Sequence, residues 1–139
     1  MHSDLDELGE LLYGSAEVMP GADLSDVELI EFAASRYVNK PYCVVRQWMI
    51  IDVLMSAKKT HEIEQLGMHP SVLYAANIIH DSRGRFSAGN WVLSTYKVSF
   101  RNCFFETRNT LYILAGRGFR KSASLDAVLS LRRDAVGLV

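Results

Sequence analysis

Cysteine is scarce in this sequence. Cys43 and Cys103 are the only two, far apart and in no CxxC pair, so a zinc site or a dithiol redox motif gains no support. The expectation is two reduced thiols packed as small apolar residues. Long apolar runs are also missing. The longest, residues 48–55, is broken by Asp52 and falls short of the roughly 20 residues that cross a bilayer, so no membrane partner is expected. The opening MHSDLDELGE has neither the basic stretch nor the apolar core of a signal peptide, and the expected location is the cytoplasm. There is no HExxH and no His or Cys pair at ligand spacing, and GRGFRK lacks the spacing of a phosphate loop. No metal and no cofactor is expected.

A charge of one sign is absent overall, with 15 Lys and Arg against 16 Asp and Glu. The balance conceals a strong asymmetry. Nine acids, Asp4, Asp6, Glu7, Glu10, Glu17, Asp23, Asp26, Glu28 and Glu31, precede the first basic side chain, Arg36. Residues 82–121 carry Arg83, Arg85, Lys97, Arg101, Arg108, Arg117, Arg120 and Lys121 against the single acid Glu106. Either the two poles attract each other within the fold, or one of them meets a charged partner.

A chain of 139 residues with 49% hydrophobic and 22% charged residues fits one folded domain, burying about two-thirds of its unfolded surface. Three parts are predicted: an acidic helical segment 1–39, a β-rich basic segment 40–121 and a C-terminal helix 122–134. Leucines at three- and four-residue spacing predict a first helix over 4–13. Residues 14–22, with Pro20 and Gly21, read as a connector. Ser25 and Glu28 form a capping box that opens a second helix, stopped by Pro41 before or at Val38. Residues 42–48 read as a strand, while the run that follows, MIIDVLM, is open between a strand extension and a helical turn. Residues 56–66 read as a short helix with Gly67 just past its end. Three strands then follow, over 72–79, 90–100 and 103–114, and Gly116 and Gly118 are expected to end the sheet. Ser122 or Ser124 caps the last helix, with Leu125, Val128 and Leu129 as its apolar stripe. The predicted fold class is α+β, a small antiparallel sheet of about four strands with N-terminal helices and a C-terminal helix.

Several constellations invite a chemical reading. His80, Asp81 and Ser82 carry triad residue types, but sequence neighbours on an extended chain point different ways, and Asp81, Ser82 and Gly84 suit a turn. Glu106 and Arg108 on one strand face would set a carboxylate base beside a guanidinium clamp, and with His80 this describes a phosphodiester or ADP-ribosyl site. The same spacing gives a salt bridge on a solvated sheet face. The basic pole, interleaved with Trp91 and several phenylalanines, could take single-stranded nucleic acid, although the sequence pI of about 6.4 argues against it. Protein binding draws on Arg83, Arg85, Trp91, Arg108, Arg117, Arg120 and Lys121 on the basic side. Trp48, within a run apolar enough to remain partly exposed, is a further contact candidate. Glu7, Glu10, Glu28 and Glu31 could cover a partner's basic groove.

At VLYAANIIHDSRGRF, GNWVLST and FETRNTLYILAGRGFRK the chain resembles an uncharacterised family of small proteins found in bacteria, prophages and mobile elements. The matching residues are Asp81, Ser82, Arg83, Gly84, Arg85, Phe86, Gly89, Trp91, Val92, Ser94, Thr95, Glu106, Thr107, Asn109, Thr110, Tyr112, Gly116 and Gly118. None has an assigned role. The resemblance implies a context: an accessory protein that binds a host protein or nucleoprotein complex, such as an anti-defence, anti-CRISPR-like inhibitor. The leading expectation is thus a non-enzymatic binding protein. A nucleic-acid-binding regulator and, behind it, an enzyme at Glu106 and Arg108 are the alternatives.

Overall fold

The computed structural model describes residues 9–11, 14–36 and 39–137, with side chains through Leu131. Strand β2 (Tyr42–Leu54) is its axis. Nine of its thirteen residues are buried, which explains why its sequence reads as an almost continuous apolar run: both faces are covered. Cys43, Val45, Trp48 and Ile50 face one core, while Tyr42, Val44, Met49, Ile51 and Val53 face the helices. Val45 and Trp48 share a face because the alternation breaks at Gln47, whose φ is 53°, while the register against β3 continues unshifted from Val45 to Asp52.

Strand β3 (Ser71–Asp81) pairs antiparallel with β2 along most of its length, and the short β4 (Val92–Leu93) pairs antiparallel with β3. The other edge of β2 is shared by two strands in succession, both parallel to it. Strand β7 (Leu111–Leu114) lies beside Tyr42–Val45, and β8 (Gly118–Ser124) lies beside Met49–Leu54. Between them the chain jogs past Gln47 at Gly116, whose φ is 67°. Outside β7 lie β6 (Phe104–Glu106) and β5 (Ser99–Arg101), and outside β8 lies β1 (Glu17–Met19), all three in antiparallel register.

Two helices cover one face of this sheet. Helix α1 (Asp26–Arg36) buries Leu29 and Ala33 against Tyr42, Val44, Leu111 and Ile113. Helix α3 (Leu125–Gly137) brings Ala127, Val128 and Leu131, with Leu11, onto Met49, Ile51, Val53 and Val72. Helix α2 (Ala57–Gln65) links β2 to β3 and has no buried residue. On the opposite face the sheet curls over its own core of Val45, Trp48, Ile50, Leu73, Phe105, Tyr112 and Leu114, with Phe86 and Phe100 packed against it.

The expected four-stranded antiparallel sheet is therefore replaced by an eight-stranded mixed one. Four corrections account for the difference. The connector 14–22 contributes β1, and Gly116 and Gly118 mark a jog between two parallel strands rather than the end of the sheet. The expected strand 90–100 is two short ones, β4 and β5, and 103–114 is broken between β6 and β7 by a turn at 107–110. Of the N-terminal helices, α1 is present, while the helix expected over 4–13 lies mostly outside the described residues. The stripe of α3 also differs, because Leu129 is 48% exposed and Ala127 and Leu131 take the core positions.

Local signals fared better. The amide of Glu28 donates to Ser25 Oγ at 3.2 Å, and the amide of Ser25 donates to Glu28 Oε1 at 3.3 Å. Ser56 Oγ accepts from the Lys59 amide, and Ser124 Oγ from the Ala127 amide. Ser25→Ala should lower stability by about 1 kcal/mol, a loss that urea unfolding followed by circular dichroism would read.

Candidate binding cleft

Strand β3 ends in Asp81, and the turn after it folds Arg85 back onto that carboxylate. Gly84 supplies the φ of 63° that the turn needs. Ser82 fixes the turn to the start of β2, its amide donating to Tyr42 O and its Oγ accepting from the Tyr42 amide, each at 2.9 Å. Arg85 donates from Nη2 to Asp81 Oδ1 at 2.7 Å and from Nε to Oδ2 at 3.1 Å, and its backbone amide also donates to Oδ2. The Asp81 side chain is fully covered while 31% of the Arg85 side chain is exposed, so the carboxylate acts as a hidden brace for an accessible cation. Burial works to raise the Asp81 pKa. The Arg85 hydrogen bonds and charge outweigh it and hold the carboxyl below its ordinary value.

The turn between β6 and β7 faces this brace. The Thr107 amide donates to Thr110 O at 2.9 Å, and the Thr110 amide donates to Thr107 Oγ1 at 3.2 Å, so the turn is tied at both ends. Arg85 Nη1 donates to Thr110 Oγ1 at 2.9 Å, joining the two loops. Three of the five guanidinium N–H groups are then engaged by the protein.

Between these walls lies a cleft of about 630 Å³, a volume suited to a small ligand or a few peptide residues. Its twelve lining residues are Arg85 and Phe86, then 90–95, then Thr107, Asn109, Thr110 and Tyr112. All twelve fall within the three stretches DSRGRF, GNWVLST and ETRNTLY, at 81–86, 89–95 and 106–112, which the turns and strands between them bring around one cleft. Arg85 is the one charged residue among them. Burial, helped by nearby Cys43, pushes the Tyr112 phenol up to about 12, and burial with Asp81 pushes the Cys43 thiol behind it up to about 12. The lining thus offers aromatic surfaces, amides, hydroxyls and one braced cation, a set suited to holding a ligand.

The other candidate residues do not converge on this cleft. Glu106 accepts from Lys40 Nζ at 2.6 Å and from Ser99 Oγ at 3.1 Å, and the Lys40 contact holds its pKa below the ordinary value. Arg108 instead reaches Leu66 O at 2.6 Å, at the C-terminal end of α2. The intervening turn removes the strand alternation that would have set them side by side. Arg120 makes a bidentate pair with Asp52, at 2.8 and 3.1 Å, and Lys121 Nζ donates to the carbonyls of Glu10, Leu11 and Gly14. Arg83 is exposed in the turn after β3. Arg117 lines a second depression of about 540 Å³ with Arg46, Gln47, Tyr74 and Phe119.

Trp48 is 1% exposed and belongs to the core, not to a contact patch. Glu10, Glu28 and Glu31 are exposed, and Glu7 lies outside the described residues. Of the four ion pairs among the described residues, only Asp26–Arg46 draws on the acidic opening segment. None of the four joins the acidic opening segment to residues 82–121; each takes its partner, Lys40, Arg46, Asp81 or Asp52, from outside both. Asn90, Asn109, Thr110 and Tyr112 were not among the binding candidates, and the signal that could have found them is their place in the same three stretches as Arg85 and Trp91. Among the described residues no group of three or more His, Cys, Asp or Glu could hold a metal ion, and no helix is long and apolar enough to cross a membrane.

Fold and cleft together define a small domain built on a curled mixed sheet, with helices on its outer face and a polar and aromatic seam. The chain belongs to a family with the description "domain of unknown function", DUF6957, whose model matches residues 20–130. The matched region spans every lining residue of the cleft. No curated protein and no solved structure matches the chain.

Proposed function

We propose that the protein is a non-enzymatic binding module that engages a protein partner at the seam cleft. The supporting observation is the convergence of three separated stretches, which supply all twelve lining residues around one braced arginine. Trp91, half-buried in the cleft wall, is the aromatic anchor of this reading, and Arg85 is its polar anchor. In biological terms the module is a cytoplasmic accessory protein of a phage or mobile element that occludes or displaces a subunit of a host nucleoprotein complex. Support for that context is the resemblance carried by the three stretches that line the cleft.

The test places a photo-crosslinking aromatic at position 91 and, as a control on the other side of the sheet, at Val27 on α1, which is 63% exposed. Irradiation in host extract should link position 91 to a defined protein, and the link should vanish when Arg85→Glu is added. Trp91→Ala should weaken the isolated complex by about 10- to 100-fold, the loss typical of a truncated interface anchor. Links from position 27 alone, or from neither position, would reject the reading.

A further inference from the structure

Resting on that reading of the cleft, we propose that the partner enters the seam as an extended strand. It pairs with the outer edge of β4 and sets an acidic side chain on Arg85. Strand β4 has one neighbour, β3, among the described residues. Its register places Leu93 opposite Tyr74, and the Ser94 amide donates to Leu73 O at 2.8 Å. In an antiparallel ladder alternate residues turn their backbone groups inward and outward. With Ser94 bonded inward, the N–H and C=O of Leu93 point away from β3.

The same edge borders the cleft. Residues 92–95 line it in an unbroken run, as a strand edge facing it must. An open edge of this kind is a template for a further strand, with main-chain bonds supplying affinity and side-chain contacts supplying choice. Strand β4 is only two residues long, so the pairing would be brief and most of the discrimination would fall on the cleft walls.

Those walls specify the side chain. Phe86 and Trp91 give apolar rings, and Asn90 and Asn109 give amides. No Asp or Glu is among the lining residues, and the Asp81 carboxylate stands behind Arg85 with its side chain fully covered. The group presented to the cleft is therefore a guanidinium with two N–H donors not taken by the protein. A carboxylate is the complement of such a group, and a charge-assisted bond to it is about twice as strong as a neutral one. We assign the carboxylate to an Asp or Glu side chain within the strand.

The experiment uses the whole protein and a pool of eight-residue peptides amidated at the C-terminus, so that a terminal carboxylate cannot substitute. Trp91 reports binding through its emission, since the one other tryptophan, Trp48, is sealed in the core. Peptides selected from the pool should contain an acidic residue. Changing that residue to its amide should weaken binding about 10- to 100-fold on the wild-type chain, and less than about twofold on Arg85→Gln. The peptide change leaves the protein intact, so the wild-type arm does not depend on how well a variant folds.

Hydrogen exchange at the Leu93 amide reads the strand pairing directly: it should slow when peptide is added. Leu93→Pro, which removes the outward N–H without taking a donor from the β3 ladder, should abolish binding. Equal affinity for acid and amide peptides, tight binding of free-acid peptides alone, or a Leu93 amide that exchanges unchanged under saturating peptide would each overturn the proposal. If no peptide binds while position 91 still crosslinks to a protein, this inference fails and the cleft reading survives. If the crosslink is absent as well, both fail.

Discussion

Replacing Trp48 with alanine should lower the unfolding free energy by about 3–5 kcal/mol, a large part of the 5–15 kcal/mol typical of a domain. Three losses combine at this site. The ring is 1% exposed and fills the core between Val45 and Ile50. Its Nε1 donates to the carbonyls of Ala115 and Gly116, both at 3.2 Å, so truncation leaves the jog between β7 and β8 short of a donor. The ring also lies on Gly118, where an added Cβ would stand 2.2 Å from Trp48 Cδ2. Gly118→Ala should therefore destabilise too, by about 1–3 kcal/mol or more, because backbone and a buried ring would both have to move. In the double variant the clash disappears, so its total should fall below the sum of the single changes. Trp48→Phe, which keeps most of the apolar volume and removes the N–H, should cost about 1–2 kcal/mol. Urea unfolding followed by circular dichroism avoids reliance on the lost fluorophore. A Trp48→Ala penalty below about 1 kcal/mol would show that the jog does not depend on this ring.

What the sequence could reveal divides along the range of the interactions. The Ser25–Glu28 box, the Ser124 cap and the Gly67 end, with φ of 80°, are decided within a few residues and are legible in the sequence. The pairing of β2 with β7 and β8 joins residues about 70 apart in the chain, and no local pattern announces it. Strands of two or three residues, such as β4, β5 and β6, are too short to display alternation. Trp48 reads from sequence as either core or contact, because a strand buried on both faces looks too apolar for a small domain, and its 1% exposure places it in the core. Arg85 and Trp91 were recognisable as binding candidates, but the brace was not, since Asp81 reads equally well as a turn former. Glu106 and Arg108 were joined by extending alternation across a segment that proved to be a turn.

The remaining large effect concerns the brace, and a second Arg–Asp pair in the same fold isolates its cause. Arg85–Asp81 and Arg120–Asp52 share one geometry, each arginine donating from Nε and Nη2 to the two carboxylate oxygens. They differ in cover, because the Asp81 side chain is fully covered whereas that of Asp52 is 36% exposed. Asp81→Ala should cost about 3 kcal/mol, near the low end for a broken buried pair because Arg85 can still reach water. Asp52→Ala should cost about 1 kcal/mol or less, as partly exposed pairs do. Acid separates the two further. The folded Asp81 pKa is depressed below its unfolded value, so its contribution is complete above that unfolded value, near 4, and is lost as pH falls through the folded one. The stability gap between wild type and Asp81→Ala should accordingly stay level from about pH 8 to 5 and close below about pH 4. Asp52 and Glu106 are depressed as well, so the gap, and not the wild-type curve alone, carries the information. Equal penalties for the two alanine variants would mean that geometry, rather than burial, sets the value of the pair. A gap that widens in acid would reverse the assigned sign and reject the ionised Asp81 as a stabilising brace.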